Sequence, residues 1–90
     1  MNAFTKKEYN KLQALESHFT RAVYGKYVYA LRRNDFDKMY DVYKSLGYTK
    51  TMEYSCGNCL LELATTLGKL YFDYKKKMEE KNQKSEEKND

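Results

Sequence analysis

A chain of 90 residues makes one small domain, and such a domain hides only about 60 to 65% of the surface its unfolded chain exposes, so a partner, a metal or a second copy adds burial that matters. It is 41% hydrophobic and 16% aromatic, with ten Tyr, four Phe, four Gly and neither Pro nor Trp, which removes most of the turn vocabulary of an all-β protein and favours long helices. The 17 Lys and Arg against 13 Asp and Glu give a formal charge of +4, mildly basic and short of a strong nucleic-acid signature.

The opening Met1-Asn2-Ala3-Phe4-Thr5-Lys6-Lys7 has no apolar run of the signal-peptide kind. No segment approaches the roughly 20 apolar residues that span a bilayer. The expectation is a cytoplasmic protein with no membrane partner, in a compartment that keeps thiols reduced.

Thr5 followed by Glu8 is a capping-box pair and predicts a helix start. Tyr9, Leu12, Leu15, Phe19, Val23, Tyr27 and Ala30 then recur at three- and four-residue steps, predicting one long helix to about Leu31. Gly25 interrupts this stripe at a cost of about 1 kcal/mol relative to Ala, and marks either a bend or the close approach of another helix.

Arg32-Arg33-Asn34 reads as a helix end followed by a new N-cap, with Asp35 and Asp37 suited to the positive first turn of a second, shorter helix. Phe36, Met39, Tyr40, Tyr43 and Leu46 form its apolar stripe, and Gly47 stands where a left-handed residue ends a helix. Residues 48–54 form a connector with nothing to pair with as a strand. Ser55 or Asn58 can cap the third helix, whose stripe of Leu60, Leu63, Ala64, Leu67, Tyr71, Tyr74 and Met78 is the strongest in the chain. From Lys75 on, six Lys face five acidic residues, the composition of a solvated, fraying segment. The predicted fold is all-α: a small three-helix bundle with two long helices and one short one, a single domain over 1–78 and a charged, disordered tail over 79–90.

Both cysteines lie in Cys56-Gly57-Asn58-Cys59 at the start of the third helix. Free N–H groups and the helix dipole favour a thiolate there, and Cys56 is the better placed of the two. A thioredoxin-like oxidoreductase needs a βαβ scaffold and an active-site proline, neither of which this sequence offers. As a zinc half-site, Cys56 and Cys59 supply two of four tetrahedral corners; a closed site would need a carboxylate or, better, a second copy of the pair, which gives a dimer with one shared structural zinc. The default is that the thiols pack, with Cys59 one turn before Leu63 on the apolar face. His18 reads as a partly exposed helical residue.

Between Ser17 and Met52 seven basic residues stand against three acids and among six of the ten tyrosines. Lys26, Arg32, Arg33, Lys38, Tyr24 and Tyr29 are the candidate surface, for a protein partner or, through phosphate contacts and stacking, for nucleic acid. Much of it is also what an ordinary solvated helical face would carry. No Gly-rich phosphate loop, paired apolar carboxylates or Ser/His/Asp set is found, so the chain reads as non-enzymatic.

The stretch from Met39-Tyr40-Asp41-Val42-Tyr43 through Cys56-Gly57-Asn58-Cys59 to Leu67-Gly68-Lys69-Leu70-Tyr71-Phe72 resembles small helical Cys-x-x-Cys proteins encoded by phages of gut bacteria. The resemblance covers about a third of the chain. It implies an intracellular phage setting and no catalytic role: a virion or assembly component, or an inhibitor or regulator of a host protein. The expectation is therefore a helical protein-protein interaction module that can self-associate, with a nucleic-acid-binding regulator and a zinc-stabilised homodimer as alternatives.

Overall fold

The structure, a computed structural model, describes the backbone of residues 3–89 and the side chains of residues 3–80. Among the described residues every regular element is helical: α1 (Lys6–Leu12), a 3-10 turn (Gln13–Leu15), α2 (Glu16–Gly25), α3 (Arg33–Ser45) and α4 (Gly57–Asn89). The all-α reading holds. The tail expected over 79–90 lies, from residue 81 onward, outside the residues whose side chains are described.

The first helix begins as its sequence dictates. Thr5 and Glu8 close a capping box, in which the Thr5 N–H and hydroxyl both donate to Glu8 Oε1, at 2.7 and 2.6 Å. These bonds, the Thr5 hydroxyl foremost, hold the Glu8 carboxyl below its ordinary range. The predicted long helix is then broken twice. Gln13–Leu15 tighten into a 3-10 turn, whose three-residue repeat sets Leu12 and Leu15 in line, both buried. The chain leaves the helix at Gly25 rather than near Leu31, because Lys26 takes a left-handed conformation (φ 62°) and its N–H turns back to the Arg21 carbonyl. Ala30 is left-handed too (φ 53°), so residues 26–32 are an irregular link.

That link decides between the two readings of Gly25, in favour of a bend, and corrects one expectation. Gly25 marks no approach of a second helix: a Cβ there would stand 2.6 Å from the ring of Tyr27, so the glycine makes room for a tyrosine folding back on its own helix. The cap of α3 is Arg32, not Asn34, and the first helical bond runs from the Phe36 N–H to the Arg32 carbonyl at 2.9 Å. Gly47 ends that helix with φ 97° as expected.

The core lies where α4 packs on α2 and α3, with α1 closing its end. The crossing of α2 and α4 is close because Gly68 has no side chain; a Cβ there would lie 2.7 Å from Val23 Cγ2 and 3.1 Å from Phe19 Cβ. Leu12, Phe19, Met39, Leu63, Leu67 and Tyr71 are fully buried around this crossing. Rings continue the contact, with Tyr9 stacked on Tyr71 at 4.8 Å and Phe19 tilted against Tyr71 at 5.3 Å, geometries that add to area burial. The connector of residues 48–56 is pinned without any strand: Met52 is buried and its N–H donates to the Tyr40 hydroxyl at 3.2 Å, and Tyr54 Oη donates to the Leu31 carbonyl at 2.7 Å.

Candidate functional site

The tyrosines sort themselves by the core. Tyr9, Tyr43 and Tyr71 are buried, and Tyr40, Tyr48, Tyr54 and Tyr74 are half-buried against them. That leaves Tyr24, Tyr27 and Tyr29, exposed by 71%, 51% and 65%, as the exposed large apolar side chains among the described residues. All three sit within six positions where α2 ends and the link begins. Tyr24 lies on the last turn of α2 with its ring 5.6 Å from that of Phe72 on α4. The Arg21 guanidinium lies over the Tyr29 ring at 5.9 Å, and Tyr27 follows directly on the left-handed Lys26.

The remaining candidate residues spread away from this cluster. Arg32 caps α3 and Arg33 is its first residue. The Arg33 guanidinium lies 5.6 Å from the Tyr54 ring and pairs with Asp37 at 3.8 Å, which takes up part of its charge. Lys38 lines a shallow groove of about 370 Å³ with Lys11, Asn34, Asp37, Asp41 and Val42, a lining of mixed sign. Lys44 and Lys50 are paired as well, with Asp41 at 3.9 Å and Glu62 at 2.7 Å. Tyr24, Lys26 and Tyr29 thus lie with Tyr27 and Arg21 on one short stretch of chain, residues 21–29, within which Arg21 meets Tyr29. It sets Arg33 and Lys38 among carboxylates on α3.

Tyr27 was assigned to the buried stripe by its spacing, and its exposure follows from the early helix end. Gly25, the poorest helix former in that stripe, is the signal the sequence offers for the early end.

The cysteine pair has its own geometry. The Cys56 carbonyl accepts the first hydrogen bond of α4 from the Leu60 N–H at 3.0 Å, so Cys56 is the N-cap, a position expected for Ser55 or Asn58. Its Sγ accepts the Cys59 N–H at 3.2 Å, as a Ser or Asp oxygen does in an ordinary cap. The Cys59 side chain first, and its backbone N–H next, draw the Cys56 thiol below its usual range, while Cys59 is pushed up by the same partnership. Both cysteines are half-exposed, and Cys59 packs against the core edge. Among the described residues no group of three or more His, Cys, Asp and Glu side chains stands ready to hold a metal ion, so one chain offers a zinc two sulfurs and no third such ligand beside them.

His18 faces α3. Its Nε2 lies 3.9 Å from Asp35 Oδ2, and its Nδ1 is buried without a hydrogen-bond partner. It stands in a helix contact rather than beside the thiols on α4. Among the described residues no helix is long and apolar enough to cross a membrane.

No protein-family model, curated protein or solved structure matches this chain. The functional reading therefore rests on its own residues.

Proposed function

We propose that this chain is a small, non-enzymatic helical module that binds another protein through the tyrosine cluster at the end of α2, with Tyr24, Tyr27 and Tyr29 as the contact rings and Arg21 and Lys26 beside them. The observation that carries this reading is the exposure of three neighbouring tyrosines in a fold that buries or half-buries the other seven. Leaving three large rings in water costs burial that a small domain can ill spare. Tyrosine and arginine are also the residues most enriched where partner proteins dock, since a rigid ring supplies area at little entropic cost and a hydroxyl keeps the free surface wet. The resemblance of residues 39–72, about a third of the chain, to phage-encoded helical proteins supports a virion or assembly component, or an inhibitor or regulator of a host protein.

Nucleic acid is the competing partner. Against it stand the carboxylates paired with Arg33, Lys44 and Lys50, which leave fewer free cations for phosphate.

The test is quantitative capture by the immobilised full chain, comparing wild type, the Tyr24→Ser/Tyr27→Ser/Tyr29→Ser chain and the Arg32→Ala/Arg33→Ala chain. A protein held by wild type and by the arginine variant but lost by the tyrosine variant supports the reading. Equal capture by all three overturns it. Retention of nucleic acid that collapses between about 50 and about 200 mM salt would put the nucleic-acid reading in its place.

A further inference from the structure

The interaction reading leaves two nucleophiles unused, Cys56 and Cys59. They are separated by one helical turn, and that turn holds them together: the Cys59 N–H reaches Cys56 Sγ at 3.2 Å. The backbone is fixed on both sides, with the Cys56 N–H donating to the Glu53 carbonyl at 3.1 Å and the Cys56 carbonyl receiving the Leu60 N–H. The backbone thus fixes the two cysteines side by side on the first turn of the helix.

Access is open on the outer side. Both cysteines are half-exposed, Gly57 and Asn58 between them are exposed, and a Cβ built on Gly57 would meet nothing within 4 Å. A bulky disulfide can reach the first turn from that side.

We propose that Cys56 and Cys59 form a reversible dithiol/disulfide pair in which Cys56 is the attacking sulfur and Cys59 the resolving one, with the disulfide of a low-molecular-weight thiol as oxidant. The Cys56 thiolate attacks one sulfur of the small disulfide, a protein–S–S bond forms, and the other half leaves as a thiolate that takes up a proton. Cys59 then gives its proton to solvent and attacks the Cys56 sulfur. The mixed disulfide breaks, an internal disulfide forms, and the second small thiol departs. Two protein thiols lose two protons and two electrons, which reduce one small disulfide to two thiols; excess small thiol reverses both steps.

The roles follow from position. Cys56 sits at the helix N-cap, where the dipole and the Cys59 N–H stabilise a thiolate, and Cys59 is one turn inside, packed against the core edge. This chemistry needs no βαβ scaffold, because it asks for a sensor thiol pair and not for a binding groove that accepts protein disulfides. It is independent of the tyrosine cluster.

The experiment uses the full chain, reduced and then equilibrated with oxidised and reduced glutathione in a series of ratios, quenched with acid, alkylated and weighed intact. Wild type is expected to collect as a species lighter by two hydrogens that takes up no alkylating agent and returns to the dithiol under excess glutathione. Cys59→Ser should stop at the glutathione adduct of Cys56, and Cys56→Ser should react at least about tenfold more slowly than Cys59→Ser at neutral pH. Both serine variants keep a hydrogen-bonding atom in place of the sulfur, so the fold is retained. Wild type ending as glutathione adducts or as disulfide-linked dimers, with no internal disulfide, would overturn the proposal. So would equal reaction rates for the two single variants.

Discussion

The Tyr71 hydroxyl donates a 2.7 Å hydrogen bond to Glu16 Oε1, and Lys75 Nζ donates to the same oxygen at 2.9 Å. One carboxylate at the start of α2 thus holds two consecutive turns of α4. Tyr71 is 0% exposed, so its hydroxyl is polar cargo in the core and needs that acceptor; burial first and this bond second push its ionisation far above the ordinary range.

Tyr71→Phe isolates the bond. The ring keeps its stack on Tyr9 and no cavity is made, while Glu16 keeps Lys75 and solvent. The expected loss is about 1 kcal/mol of folding stability, read as a lower urea midpoint with an unchanged slope. A midpoint equal to wild type would show the bond to be worth no more than water at that carboxylate.

The same carboxylate gives stability a pH dependence. Lys75 first and Tyr71 second hold the Glu16 carboxyl below its ordinary range, so its contribution is complete above the unfolded value, near pH 4.5, and is lost as the pH falls through the lower folded value. Glu8 works in the same direction through Thr5. At the basic end Lys75, raised mainly by Glu16, contributes fully below its unfolded value and loses its share as the pH climbs through the folded one. Glu16 is 38% exposed in its side chain, so solvent screening limits its part to less than about 1 kcal/mol. Denaturant midpoints followed down from neutral pH should fall less steeply for Glu16→Gln than for wild type below about pH 4.5. Identical slopes would count against this assignment.

The helices were legible where one residue decided one geometry. Thr5 with Glu8 announced the first cap, Gly47 the end of α3, and Leu63, Ala64, Leu67 and Tyr71 the inner face of α4. What escaped depended on non-local fit. The stripe through Val23 continues in sequence to Tyr27 and Ala30, and nothing in its spacing says that Lys26 will turn left-handed and set Tyr27 outside. Met52 and Leu31 are buried from irregular segments, through contacts made only once the helices have docked. In the same way Cys56 was readable as a helix-start residue, but its role as the cap itself depends on a 3.2 Å contact with Cys59.

The α2–α4 crossing makes a second stability prediction. In Gly68→Ala the new methyl would press on Val23 Cγ2 and Phe19 Cβ. Both belong to stiff parts of their side chains, so α2 must move outward. The clash should cost about 1 to 3 kcal/mol, partly offset by up to about 1 kcal/mol of helix propensity gained over glycine. Adding Val23→Ala removes the nearer obstacle, and the double variant should lose less than the two single losses added together. Strict additivity in a double-mutant cycle would mean that the two residues do not meet.

The end of α2 carries strain of a different kind. Lys26 occupies the left-handed region at φ 62°, which costs a residue with a side chain about 1 kcal/mol and glycine almost nothing. The Lys26 side chain is exposed and its backbone N–H already caps α2, so Lys26→Gly removes the strain and leaves every hydrogen bond of the helix end in place. Glycine also gains freedom in the unfolded chain, which returns part of the benefit. The net expectation is a gain of up to about 1 kcal/mol in the urea midpoint, with the exposed tyrosines unmoved and partner capture retained. Lys26→Val should do the opposite, since a β-branched side chain fits the left-handed region worst. If it lowers both the midpoint and partner capture while Lys26→Gly preserves both, the conformation of this one residue is what presents Tyr24, Tyr27 and Tyr29. If instead Lys26→Gly keeps the fold and loses the partner, the lysine charge itself makes the contact.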